Sequence, residues 1–133
     1  MIYALDTNIV TLLLKDDEIV NRNASVATAN NHTLIIPKIV DYEVRRGLLA
    51  RRMAKKLRQY LNFRQTVSVA AIDDIVWDKA VEVYAVLSQR GKTICDDDVI
   101  IAAFCLVNGY TLVTNNTRHF ENIDSLQVEN WKS

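Results

Sequence analysis

Three short, unbroken apolar runs, Ile2 to Leu5, Leu34 to Ile36 and Leu112 to Val113, and a fourth, Val67 to Val69, interrupted by Ser68, are separated by segments of helical periodicity. A strand wetted on one side alternates polar and apolar residues, so uniform runs of this kind are expected in strands covered on both faces, as parallel sheets with helical crossovers are. The intervening segments agree. Val20, Ala24 and Ala27 recur at i, i+4 and i+7, and Val76, Ala80, Val83, Tyr84 and Leu87 at i, i+4, i+7, i+8 and i+11, each the stripe of an amphipathic helix. Val99 to Val107 is apolar throughout and follows three acids, which predicts a helix buried nearly all round and capped by one of the aspartates. The expected fold is α/β, a central and mainly parallel sheet between two layers of helices.

With 133 residues, half of them hydrophobic, the chain has the length of one domain, taken as 1–133, and no repeat or linker suggests a boundary. Three Gly and one Pro leave few backbone breakers, so connections should be short. Cys95 and Cys105 lie ten apart without a CxxC or a matching His pair, which supports neither a zinc site nor a disulfide framework. There is no basic leader, and no apolar run nears the roughly 18 to 20 residues that span a bilayer. The expectation is a cytoplasmic protein without a membrane partner.

Sixteen basic and sixteen acidic side chains cancel in the sum but not along the chain. Between Glu43 and Asp73 stand eight basic residues and no acid: Arg45, Arg46, Arg51, Arg52, Lys55, Lys56, Arg58 and Arg64. Val44, Leu48, Met53, Leu57, Tyr60 and Leu61 give this segment a buried stripe, read as two helices broken near Gly47 to Arg51. The patch is either a solvated helical face or the contact surface for an anionic partner.

In an open parallel sheet, ligands bind beyond the carboxyl ends of the strands, where the strand order reverses. Asp6 follows the first strand, Glu43 lies early on the helix after Pro37, Asp96, Asp97 and Asp98 open the buried helix, and Asn115 and Asn116 follow the last clear strand. Carboxylates gathered there would repel and carry raised pKa values unless a cation neutralised them. An oxygen-only donor set favours Mg²⁺, with Mn²⁺ next, over zinc. Such a site suits phosphodiester hydrolysis, with the basic segment holding the rest of the phosphate backbone. Each acid also has an ordinary reading: Asp6 as a helix cap, Glu43 as a solvated residue, Asp96 as the N-cap of the buried helix or an auxiliary ligand. Asp98, one residue before the apolar run, is the first choice of the three. His32 reads as a loop residue and His119 as a surface or supporting one. No G-x-S-x-G and no Gly-rich phosphate loop is present, which argues against a serine hydrolase or a P-loop NTPase.

Taken together, ALDTNIV at 4–10, Glu43 within IPKIVDYEVRRGL, DDDVIIAA at 96–103, LVTNNTRHF at 112–120 and the closing NIDSLQVENW resemble the PIN-domain ribonucleases, and within them the VapC-type toxins of bacterial toxin–antitoxin pairs. The resemblance runs nearly the whole chain in order. It implies a three-layer α/β/α sandwich and a Mg²⁺-dependent endoribonuclease. Asp6 and Asp98 correspond to the family's metal-holding aspartates and Glu43 to the acid that completes the site, while Asn8 and Thr114 resemble the residues that orient those acids. Where many members carry a fourth acid, this chain has Asn115 and Asn116, and His119 stands where some have an acid before Phe. One well-held Mg²⁺ is therefore expected, with a second bound weakly or only with RNA. The family further implies a homodimer, a VapB-type antitoxin and an RNA substrate, with tRNA suggested by the TNNTR ending. On this reading Arg45, Arg46, Arg51, Arg52, Lys55 and Lys56 bind either RNA or antitoxin.

Two other function classes share part of this pattern. A phospho-receiver domain is also doubly wound, but its acceptor aspartate should end the third strand, where TVSVA ends in alanines. A non-catalytic PIN-like module would use the acids only to bind an ion or an antitoxin.

Overall fold

The computed structural model describes residues 1–133. Five strands, β1 (Ile2–Leu5), β2 (Thr33–Pro37), β3 (Ser68–Ala70), β4 (Thr111–Val113) and β5 (Val128–Glu129), form one sheet in the order β3-β2-β1-β4-β5, every neighbour parallel. The inner strands β1, β2 and β4 are buried almost throughout, whereas edge strands β3 and β5 are half-covered. The uniform apolar runs are thus the inner strands. β3 lies one residue later than Val67–Val69, and β5 had no apolar run to announce it.

Helices α1 (Thr7–Leu14) and α2 (Glu18–Ala29) join β1 to β2, and α3 (Lys38–Ala50) and α4 (Ala54–Arg64) join β2 to β3. Helices α5 (Asp74–Gln89) and α6 (Asp96–Asn108) return the chain across the sheet to β4, and the short α7 (Thr117–Phe120) precedes β5. Right-handed crossovers running outward on one side of β1 and then on the other place their helices on opposite faces. This is the expected α/β/α sandwich. The order reverses between β1 and β4, whose carboxyl ends lie level: Leu5 pairs with Val113, and the Asp6 amide continues the ladder to the Val113 carbonyl at 2.9 Å.

Helix boundaries follow local chemistry. Asp17 and Asp73 cap α2 and α5 by accepting from Val20 and Val76 amides at 3.0 and 3.1 Å. Helix α6 is buried without a break from Val99 to Cys105 and stops at Gly109, whose φ of +70° suits a residue without a Cβ. Its N-cap corrects an expectation: Cys95 occupies that position with no side-chain bond, so Asp96 is no cap and all three aspartates stand in the first turn, where the helix dipole favours them. Two other expectations need correction. Tyr84, assigned to the buried stripe of α5, is 47% exposed. Gly47 lies within α3, and the break falls at Arg51–Met53, turned by Arg52 at φ +56°.

The α3–α4 hairpin closes on a buried carboxylate. Asp41 is fully buried; its Oδ1 accepts from the Tyr60 hydroxyl at 2.7 Å and faces Arg64 Nε at 3.1 Å, and its Oδ2 faces Arg45 at 3.3 Å and Lys38 at 3.7 Å. A charge taken out of water is tolerated only when its lone pairs find donors, and these four partners supply them.

Candidate functional site

Asp6 takes the cap reading. As N-cap of α1 its Oδ1 accepts from the Thr7 amide at 2.8 Å, while Oδ2 accepts from the Thr114 hydroxyl at 2.8 Å and from Asn8 Nδ2 at 3.3 Å. Asn8 and Thr114 in turn bind each other at 3.3 Å. Asn115 and Asn116 contribute backbone rather than side chain: the Asn115 amide donates to Asn8 Oδ1 at 2.8 Å and the Asn116 amide to Thr114 Oγ1 at 3.0 Å. The end of β4 therefore locks the end of β1, and the Asp6 carboxylate is held in one orientation.

Glu43 approaches from α3. Its Oε1 accepts from Thr7 Oγ1 at 2.8 Å, so Thr7 ties Asp6 by its amide and Glu43 by its hydroxyl. Asp97 and Asp98, on the first turn of α6, face different ways because successive helical residues are turned by about 100°. Asp98 Oδ2 meets His119 Nδ1 at 2.9 Å, and its charge bears on Asp6. Asp97 meets Glu43 and Arg46. Asp96 is exposed and makes no side-chain contact with the other acids.

The electrostatics record the crowding. Burial lifts Asp6 above the ordinary aspartate range and the Asp98 charge adds to it, against the bonds from Thr114, Thr7 and Asn8. Glu43 is raised from the ordinary 4.5 to about 7, first by burial, then by a hydrogen bond with Asp97 and by the charges of Asp97 and Asp6. Oxygen-only donors carrying more negative charge than their surroundings tolerate suit a hard divalent cation. As placed, however, no three acidic, histidine or cysteine side chains form a ready ligand cage. Both Asp6 oxygens accept hydrogen bonds, from α1 and from Thr114, and Asp98 pairs with His119. The charge of Asp6 bears on Glu43 and that of Asp98 on Asp6, but the three do not close on one point.

The basic segment divides. Arg46 reaches the acids, with Nη2 3.9 Å from Glu43 and 4.0 Å from Asp97. Arg51 and Lys56 line a cleft of about 130 Å³ with Thr7, Lys15 and Glu43, and Lys56 also donates to the Leu14 carbonyl. Arg45 serves Asp41, while Arg52 and Lys55 lie exposed near the helix break. Reasoning from sequence missed Asp97, Thr7 and Asp41. For Asp41 a signal existed, since the residue falls on the face that Val40 and Val44 bury; three consecutive aspartates offer none that separates Asp97 from its neighbours.

Comparison with known proteins follows this geometry. The family model of the PIN domain matches residues 3–126. The chain is similar to Ribonuclease VapC2 of Rickettsia felis, 30% identical over 135 residues and 98% of both chains. It is also similar to the tRNA(fMet)-specific endonuclease VapC of Shigella flexneri, 28% identical over 133 residues and 97% of each. Among solved structures, VapBC2 from Rickettsia felis bound to a DNA fragment from their promoter aligns with a TM-score of 0.90 at 29% identity, covering 98% of this chain and 99% of that one. VapBC-1 from nontypeable Haemophilus influenzae aligns at 0.86 and 26% identity over the full length of both.

Proposed function

The chain belongs to the PIN-domain family, and on that premise we propose that it is an endoribonuclease, the VapC-type toxin of a toxin–antitoxin pair, that hydrolyses RNA phosphodiester bonds, with tRNA as substrate class. The observation that carries the reading is the gathering of Asp6, Glu43, Asp97 and Asp98 at the carboxyl ends of β1 and β4, with Asp6 and Glu43 both raised, first by burial and then by the neighbouring acids. The names of the full-length relatives support the activity, and that of the Shigella flexneri relative supports tRNA.

Asp6 and Asp98 are the proposed ligands of a divalent cation, Mg²⁺ or in its place Mn²⁺, with Glu43 completing the set. Bound there, such an ion polarises the phosphoryl oxygen and lowers the pKa of the attacking water. The chain's own residues do the rest. Thr7, Asn8 and Thr114 fix the orientation of the Asp6 carboxylate at the end of β1. Glu43, held by the Thr7 hydroxyl and set beside Asp97, would bring the third carboxylate to the cation from α3. Arg51, Lys56 and Lys15, along the cleft that opens beside Glu43, hold flanking phosphates.

The same reading includes a VapB-type antitoxin, in keeping with the VapBC complexes among the structural relatives, and a cytoplasmic location, where tRNA is found. It includes a homodimer as well. Trp77, Val81 and Tyr84 recur at i, i+4 and i+7 on α5 and are 48%, 71% and 47% exposed, an apolar stripe suited to a second copy. No helix of the chain is long and apolar enough to cross a membrane.

The test is incubation of wild type, Asp6→Asn and Asp98→Asn with total RNA and Mg²⁺, followed by mapping of new RNA ends. Wild type cuts and both variants do not, with unchanged circular dichroism; cleavage that survives either change refutes the reading. RNA and Mg²⁺ binding without new ends supports instead a PIN-like module that binds RNA or antitoxin and does not cut.

A further inference from the structure

Arg46 is the only lysine or arginine within 4.0 Å of the four acids. Its Nη2 stands 3.9 Å from Glu43 Oε2 and 4.0 Å from Asp97 Oδ2, too far for a direct hydrogen bond to either, so it supplies positive charge while leaving those oxygens free to take another partner. The side chain is 54% exposed, and its guanidinium carbon lies 5.0 Å from the centroid of the Tyr42 ring, one helical turn earlier on α3. From this one position the long side chain meets the carboxylates and the ring together.

Resting on the reading that these acids hold a divalent cation, we propose that Arg46 is a positioning residue that acts as an intrachain counter-ion: it competes with the cation for the negative charge of Glu43 and Asp97 and lowers the affinity of the site for it. Without Arg46, Glu43 and Asp97 lose the one nearby cation that offsets their charge, and a divalent ion meets a more negative site. Loss of a residue that merely supported the structure would instead loosen the site and weaken binding.

The experiment is direct Mn²⁺ titration of the full chain, by calorimetry and by loss of the free-ion paramagnetic resonance signal, for wild type, Arg46→Gln and Arg46→Lys, without RNA. Arg46→Gln is expected to bind Mn²⁺ about 5- to 10-fold more tightly than wild type, and Arg46→Lys, which keeps the charge, within about twofold of it, as expected for screened charges near a surface. Equal or weaker binding by Arg46→Gln, with wild type binding normally, overturns the role of Arg46 and leaves the nuclease reading intact. Absence of Mn²⁺ binding by all three overturns both.

Discussion

Replacing Glu43 by Gln should make the ion-free protein more stable, and only at higher pH. Gln retains an oxygen for the Thr7 hydroxyl, 2.8 Å away, and removes a charge that its surroundings disfavour. Raising Glu43 from 4.5 to about 7 means that the folded state binds its proton more tightly than the unfolded chain. Stability from this group is therefore full below about pH 4.5 and is lost as pH rises through about 7. At ~1.4 kcal/mol per tenfold change in ionisation constant the loss has an upper bound of ~3 kcal/mol, and solvent screening at a crevice open to water leaves about 1 to 2 kcal/mol. For a chain of this length that is roughly 3 to 8 °C in Tm. The assay is thermal and urea unfolding in EDTA from pH 5 to pH 8. Glu43→Gln should exceed wild type by that margin at pH 8 and match it near pH 5, and millimolar Mg²⁺ should narrow the gap by stabilising wild type more. A variant less stable than wild type at pH 8, or equally stabilised at both ends of the range, would refute the claim that the acids are crowded.

Three further outcomes follow from particular contacts. Asp41→Ala leaves the buried Tyr60 hydroxyl without its acceptor and Arg64 without its nearest carboxylate, and should cost about 2 to 4 kcal/mol in urea unfolding; a loss under about 0.5 kcal/mol would mean that the hairpin does not depend on this ion cluster. Asp97→Asn should reduce RNA cleavage at least tenfold while Asp96→Asn leaves it within twofold, because only Asp97 bears on Glu43; equal effects in a gel-based cleavage assay would count against that distinction. Val81→Asp, at a site 71% exposed, should shift the protein from dimer to monomer by light scattering with little change in circular dichroism; a variant that stays dimeric places the interface elsewhere.

Much of this molecule was legible from its residues. The inner strands announced themselves because burial on both faces removes every polar position, and their uniform runs implied the parallel order seen in the sheet. Helix α6 did so for the same reason. Asp6, Glu43 and Asp98 could be singled out because parallel strands with helical crossovers bring strand ends and helix starts to one edge. The edge strand β5 was not legible: two half-covered residues leave no pattern. Nor was Tyr84, which shares the spacing of buried neighbours yet faces outward.

What the chain determines by itself is what short-range chemistry encodes: which segments are buried on two faces, and which acids the topology sends to the switch point. Tertiary structure alone decided the rest. The phase with which α6 starts turns Asp98 toward His119 and Asp97 toward Glu43, and the packing of α3 sets Arg46 over the acids while Asp41 turns inward to Tyr60 and Arg64. These outcomes depend on the angle at which separate helices meet. A rotation of one residue about a helix axis exchanges the partners without altering any periodicity that a linear reading detects.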